Sequence, residues 1–180
     1  DIVRQDVLEL YGADSNVVHN GFTSVEASGV DIKGELGIDG PMLFFVGRHT
    51  DQKGITHLLY AMRKLGETDA TLVLGGSGHQ TEHLKMFAEL LGIDDRVQFA
   101  GYIPEEELGD YYEAADVFIS PSRAEPFGLT ITEALAAGCQ VVATPSGVRE
   151  TLPDDCLIEV TTHSDSIAEG IKEALAREGP

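Results

Sequence analysis

The stretch Val117-Phe118-Ile119-Ser120-Pro121-Ser122-Arg123-Ala124-Glu125-Pro126-Phe127-Gly128-Leu129-Thr130-Ile131-Thr132-Glu133-Ala134-Leu135-Ala136-Ala137-Gly138 reads as strand, loop and helix in that order. Val117–Ile119 is a short apolar run that gives way to Pro121. A helix begins near Gly128 and stops at Gly138, a residue suited to the left-handed turn that closes helices. Nearly every side chain between them is apolar or small, which predicts a buried helix. Outward from this unit the same rhythm recurs. Val17–Val18, Met42–Val46, Leu72–Leu74, Val97–Phe99, Val141–Ala143 and Leu157–Ile158 are short apolar runs bounded by Gly, Pro or Asp, as strands buried on both faces should be. Between them lie helical patterns: Ile55, Leu58, Leu59, Met62 and Leu65; Leu84, Phe87 and Leu91; Leu108, Tyr111, Tyr112 and Ala115; and the tail from Asp165 to Arg177. Pro104 marks a helix start, with Glu105, Glu106 and Glu107 in the first turn where acid suits the helix dipole. Ile2 to Tyr11 reads as an amphipathic helix, and Asn20-Gly21 as a turn.

Strand and helix alternate roughly every 25 residues, which predicts an α/β, Rossmann-like doubly wound parallel sheet. We expect one domain, with residues 1–21 as linker and first strand and 22–180 as the core. In such sheets ligands sit at the carboxyl ends of strands, so chemistry is sought just after each one.

Composition narrows the partners. Apolar residues make up 42% and are spread evenly, so the chain is globular. With 31 acidic and 12 basic residues the net charge is −19, the wrong sign for binding nucleic acid or an anionic membrane. The acids are scattered, as in proteins of extreme halophiles, where salt screens self-repulsion. No apolar run approaches the ~20 residues of a membrane-spanning helix. No charged-then-apolar leader is visible, and the expected location is cytoplasmic. Cys139 and Cys156 have no metal-type spacing; they read as core thiols in a reducing compartment or as one structural disulfide.

Three strand ends carry candidate chemistry. Val46-Gly47-Arg48 and Lys53-Gly54 follow Met42–Val46. Gly47 permits close backbone approach, Arg48 offers a planar fork and Lys53 a mobile charge for a phosphate; the alternative is a surface pair answering the acidic background. Gly75-Gly76-Ser77-Gly78 is a tight turn or a pocket floor; it is neither a Walker loop nor a full dinucleotide fingerprint. In the quoted stretch, Glu133 shares a helix face with Leu129, and a buried carboxylate needs partners such as the vicinal hydroxyls of a ribose. Glu125 is placed to grip a sugar hydroxyl, and N–H groups from Gly128 to Thr130 to hold an anion. The alternative is that Glu125 caps the helix and Glu133 pairs with Arg123 or Arg149. Ser146, Gly147 and Glu150 follow the next strand at the same sheet edge. His79 and His83, four apart on an expected helix, lack a third ligand and read as a solvated face. No Asp-x-Asp occurs, and no metal or other cofactor is expected.

Taken together, Val46-Gly47-Arg48 … Gln52-Lys53-Gly54, Gly75-Gly76-Ser77-Gly78, Arg96-Val97-Gln98-Phe99-Ala100-Gly101, Ala114-Ala115-Asp116-Val117-Phe118-Ile119-Ser120-Pro121-Ser122, Glu125-Pro126-Phe127-Gly128-Leu129 … Glu133-Ala134 and Val141-Val142-Ala143-Thr144 resemble the group-1 glycosyltransferases, retaining enzymes of family four with the two-Rossmann B-type fold. The resemblance covers nearly the whole chain. It implies the C-terminal, nucleotide-sugar-binding half, whose partner is a UDP-, GDP- or ADP-sugar and whose N-terminal acceptor domain this sequence does not include. It implies that Arg48 and Lys53 hold the diphosphate and Glu133 the ribose, and that Glu125 contacts the donor sugar. Gly47 and the backbone of Phe127, Gly128, Leu129 and Thr130 would line the donor, and Tyr102 and Ile103 would meet the base. It further implies a metal-independent hexosyl transfer by a parent enzyme that is cytoplasmic or peripheral at the inner membrane face. Two positions depart from the family pattern: Pro126, where glycine is common although proline occurs in sucrose-synthase-type relatives, and Phe22. A nucleotide-sugar epimerase of the same fold and a non-catalytic binding module are the rival readings; an incomplete fingerprint argues against a dehydrogenase.

Overall fold

The computed structural model describes residues 2–16, 21, 25–66, 68–153 and 155–177. The strand expected at Val17–Val18, Phe22 and the side chain of Glu150 lie outside what is described. Among the described residues the strands are β1 Met42–Val46, β2 Thr71–Gly75, β3 Val97–Gly101, β4 Val117–Ser120, β5 Gln140–Ala143 and β6 Ile158–Glu159. They form one sheet in the order β3-β2-β1-β4-β5-β6, parallel throughout. The helices are α1 Ile2–Tyr11, α2 Ile32–Leu36, α3 Ile55–Lys64, α4 Thr81–Leu91, α5 Glu105–Ala114, α6 Leu129–Ala136 and α7 Ser164–Ala176.

The apolar runs are continuous because both sheet faces are covered. Successive strand side chains point to opposite faces. Leu43 and Phe45 therefore join Leu72, Leu74 and Ile119 under α3, α4 and α7, with Ile55, Leu58, Leu84 and Ile167. Met42 and Phe44 join Val73, Phe118 and Val141 under α2, α5 and α6, with Ile32, Tyr112 and Ile131. Each large side chain so buried contributes about 1.5–3 kcal/mol, which explains the near absence of polar residues in these strands.

Local signals explain the ends. Pro104 takes the extended N-cap position of α5, and Gly92 closes α4 with φ 64°. Helix α2 is additional to the sequence reading: Asp31 caps it by accepting from the Gly34 N–H at 3.0 Å, and Gly37 ends it. Arg96 bonds carbonyls at the end of α3 and beyond it, those of Met62, Gly66 and Thr68, where a cation suits the helix dipole.

Two expectations change, on α6 and on His79, and the thiol reading of the cysteines stands. Helix α6 is buried on one side only: Ile131, Thr132 and Ala134 are buried, whereas Leu129 is 41% exposed, because the first turn opens onto a cluster of loops. His79 lies in the turn before α4, so it shares no helical face with His83. Both cysteines are free thiols, and burial pushes the Cys139 thiol up to about 12. No helix among the described residues is long and apolar enough to cross a membrane.

The strand order reverses between β1 and β4. From β1 the chain moves outward through β2 and β3, then returns to the other side of β1 at β4. The helices that follow these neighbours, α3 and α6, cover opposite faces of the sheet, and in open α/β sheets the crevice outside such a switch point is where ligands bind.

Candidate functional site

The loops after β1 and β4 meet at this reversal, and backbone contacts hold them together. The Arg123 N–H donates to the Gln52 carbonyl at 2.8 Å, and Gln52 Nε2 donates to the Ala124 carbonyl at 2.9 Å. Gly54 adopts φ +68°, and a Cβ there would lie 2.1 Å from the Pro121 carbonyl oxygen. Only glycine satisfies both demands. The seam ends in a charge pair: Lys53 Nζ is 2.7 Å from Glu125 Oε2, with the two side chains only 22% and 13% exposed. Ser122 Oγ also donates to Glu125 Oε2, at 3.3 Å.

The neighbouring loops close in from either side. After β5, the Gly147 N–H donates to the Glu125 carbonyl at 3.3 Å and the Val148 N–H to the Phe127 carbonyl at 2.8 Å. Gly147 is required because a Cβ would lie 2.1 Å from the Pro126 carbonyl oxygen. After β2, Gly76 and Gly78 sit flush against the backbone of Gly47 and His49. The glycine-rich turn therefore works as packing that lets the β1 and β2 loops touch, as in the tight-turn reading.

Arg48 is exposed and its side chain makes no hydrogen bond or ion pair among the described residues. In a chain of net charge −19, this cation at a strand end has no acidic partner among the described residues. Helix α6 adds partial positive charge: its N-cap Gly128 has φ 101°, and no side chain caps the first turn of Leu129 and Thr130. The alternative reading of Glu125 as the helix cap is thereby excluded, since its carboxylate is engaged by Lys53.

Glu133 is half-buried on α6, and its partner is neither Arg123 nor Arg149. Tyr112 on α5 donates its phenolic hydrogen to Glu133 Oε2 at 2.8 Å. Sequence reading placed Tyr112 in a core stripe; the available signal was that a buried phenol requires a hydrogen-bond partner. At the end of β3 the two expected base-contacting residues separate. Tyr102 is 80% exposed, whereas Ile103 is turned into the core, its Cδ1 in the space a Cβ on Gly75 would need, so only its backbone remains for a ligand.

His49 is a buried residue the sequence reading missed. Its Nδ1 lies 2.9 Å from Thr81 Oγ1, its ring sits near Phe45 and Phe99, and burial lowers its pKa, which keeps it neutral. Among the described residues no group of three or more His, Cys, Asp or Glu is placed to hold a metal ion.

The sequence of residues 31–179 matches the family described as glycosyl transferases group 1. The chain belongs to the group-1 glycosyltransferases. It is 32% identical over 190 aligned positions to an uncharacterized glycosyltransferase of Methanocaldococcus jannaschii, an alignment covering 97% of this chain and 49% of that protein. Among solved structures it superimposes with a TM-score of 0.72 on the C-terminal domain of the group-1 family protein LpcC from Francisella tularensis, at 25% identity, covering 85% of this chain and 86% of that one. It superimposes with a TM-score of 0.78 on Anabaena HepE in complex with UDP and glucose, at 25% identity, covering 89% of this chain and 47% of that one. The chain spans half or less of the length of the curated relatives it matches. It corresponds to the C-terminal, Rossmann-like domain of a group-1 enzyme.

Proposed function

We propose that this domain binds the nucleoside-diphosphate sugar of a retaining, metal-independent hexosyltransferase. The observation that carries this reading is the largely buried Lys53–Glu125 pair at the strand reversal, which joins the β1 loop that bears Arg48 to the β4 loop that leads into the uncapped start of α6. Arg48, Lys53 and the first N–H groups of α6 hold the diphosphate. Glu125 contacts the donor sugar, Glu133 takes the ribose hydroxyls, and the backbone from Phe127 to Thr130 lines the pocket. The turn at Tyr102 and the Ile103 backbone meet the base. HepE, a structural neighbour, is found with UDP and glucose, which favours a uridine nucleotide.

The chemistry asked of these groups is electrostatic. As the bond from the sugar's anomeric carbon to the diphosphate breaks, its electron pair leaves with the diphosphate. Cations fixed beforehand stabilise that growing charge without reorganising. Lys53 is such a cation: its position is already set by Glu125. Arrival of the diphosphate supplies Lys53 with a second anion and leaves Glu125 free to accept a sugar hydroxyl. The acceptor hydroxyl is bound by an N-terminal domain outside this chain, and closure of the two domains completes the active site. The chain alone therefore binds donor and transfers little sugar.

Saturation-transfer NMR with UDP-glucose tests this reading. Saturation reaching the base and ribose protons, lost in Arg48→Ala, supports it. No transfer to UDP-glucose, GDP-mannose or ADP-glucose with a folded domain overturns it, and rapid glucosyl transfer by the domain alone overturns the division of labour.

A further inference from the structure

Tyr112 is fixed by ring packing and by hydrogen bonds at both its carbonyl and its hydroxyl. Its side chain is 1% exposed, and its ring packs edge-on against Phe44 and Phe118, with centroids 5.5 Å away in each case. Its carbonyl accepts the Cys139 thiol at 3.0 Å. The phenol so fixed points its hydroxyl at Glu133 Oε2, 2.8 Å away. Burial, then the Glu133 charge, raises the phenol's pKa, so it remains a proton donor.

Glu133 makes no ion pair among the described residues. This matters for what a carboxylate can still do. Its two oxygens offer about four lone-pair sites. A bidentate Arg would occupy both oxygens and cancel the charge, whereas a neutral phenol occupies one site and leaves the charge in place. The remaining oxygen is then a strong acceptor whose direction is set through the aromatic core.

We infer that Tyr112 is a positioning residue: by holding Glu133 Oε2 it presents the rest of that carboxylate to the vicinal diol of a nucleotide's ribose. The inference rests on the proposed role of Glu133. The inference gives a binding role to the hydrogen bond that joins α5 to α6.

The test compares UDP, GDP and ADP with their 2′,3′-dideoxy forms by calorimetry, using the 180-residue chain in about 1 M KCl. For the nucleotide that binds, the native protein prefers the ribose form by about tenfold or more, the value of one hydrogen bond to a charged group. Glu133→Gln loses most of that preference. Tyr112→Phe, which removes one oxygen and keeps the ring, also loses most of it and leaves affinity for the dideoxy form unchanged. Phe118→Leu disturbs the same aromatic cluster without touching the hydroxyl; it lowers the melting temperature and keeps the preference. If Glu133→Gln loses the preference and Tyr112→Phe retains it, the positioning role is wrong and the role of Glu133 stands. If the native protein shows no preference, or Glu133→Gln keeps it, the role of Glu133 is wrong and this inference fails with it.

Discussion

Lys53 and Glu125 are 72 positions apart in the chain, yet the ammonium of one lies 2.7 Å from the carboxylate of the other. They sit on loops leaving adjacent strands, and both are more than three-quarters buried. Removing one partner leaves the other charge poorly solvated. Lys53→Met and Glu125→Gln should each cost about 1–2 kcal/mol in chemical unfolding. The double variant should cost less than the sum, because the second change removes a charge already stranded. Strict additivity would mean that the pair does not interact in solution.

Gly54→Ala should damage stability and binding together. The substitution places a Cβ against the Pro121 carbonyl and forces an alanine to φ +68°. The cost should be about 1–3 kcal/mol, read as a lower denaturant midpoint. Gly66→Ala has a similar φ of +73° with open space around it, so it isolates the backbone penalty from the collision. Equal losses in the two variants would show that the loop seam carries no strain.

Asp110 ties residues 28–30 to α5, accepting from the N–H groups of Ser28, Gly29 and Val30 and from the Ser28 hydroxyl. The Ser28 hydroxyl, followed by the backbone donors, holds its carboxyl below the ordinary range. A depressed folded-state pKa gives stability that is present above the unfolded-state value and lost as pH falls through the folded one. Protection of the Ser28, Gly29 and Val30 amides, taken relative to intrinsic exchange at each pH, should therefore fall on acidification below the usual aspartate range. In Asp110→Asn, exchange should be fast at neutral pH and lack that acid step. Asp31, Lys33 and Glu113 line the same hollow, so the step is read at these three amides and not from the whole molecule.

Salt should stabilise the fold. At −19 the compact state repels itself, and screening relieves compact more than expanded chains. Raising KCl from about 0.1 M to about 2 M should raise the melting temperature. A flat response would mean that the acids are too dispersed to matter.

The sheet was legible because burying both faces leaves a plain trace. Met42–Val46 and Val117–Ile119 are continuous apolar runs with no other reading in a chain of alternating elements. Helix α2 escaped notice since five residues carry too little periodicity to register. Arg48, Lys53, Glu125 and Glu133 were visible as charges at strand ends and in an apolar helix. Their partners were not. The Tyr112–Glu133 bond joins two helices, and the Gln52–Ala124 bond joins two loops; both depend on how elements stack after the strands are ordered. Ile103 shows the same limit: only packing against Gly75 turns it inward while Tyr102 stays outside.

The most direct test is calorimetric titration of the domain with UDP, GDP and ADP, for the native chain and for Arg48→Ala. The Arg48 side chain makes no hydrogen bond or ion pair among the described residues, so its loss should change stability by no more than about 0.5 kcal/mol. Selective binding of one nucleotide, weakened about tenfold or more in a variant with an unchanged melting temperature, is the predicted result. Binding of a nucleotide with the same affinity in both proteins, or of none of the three by the folded native domain, would contradict the account.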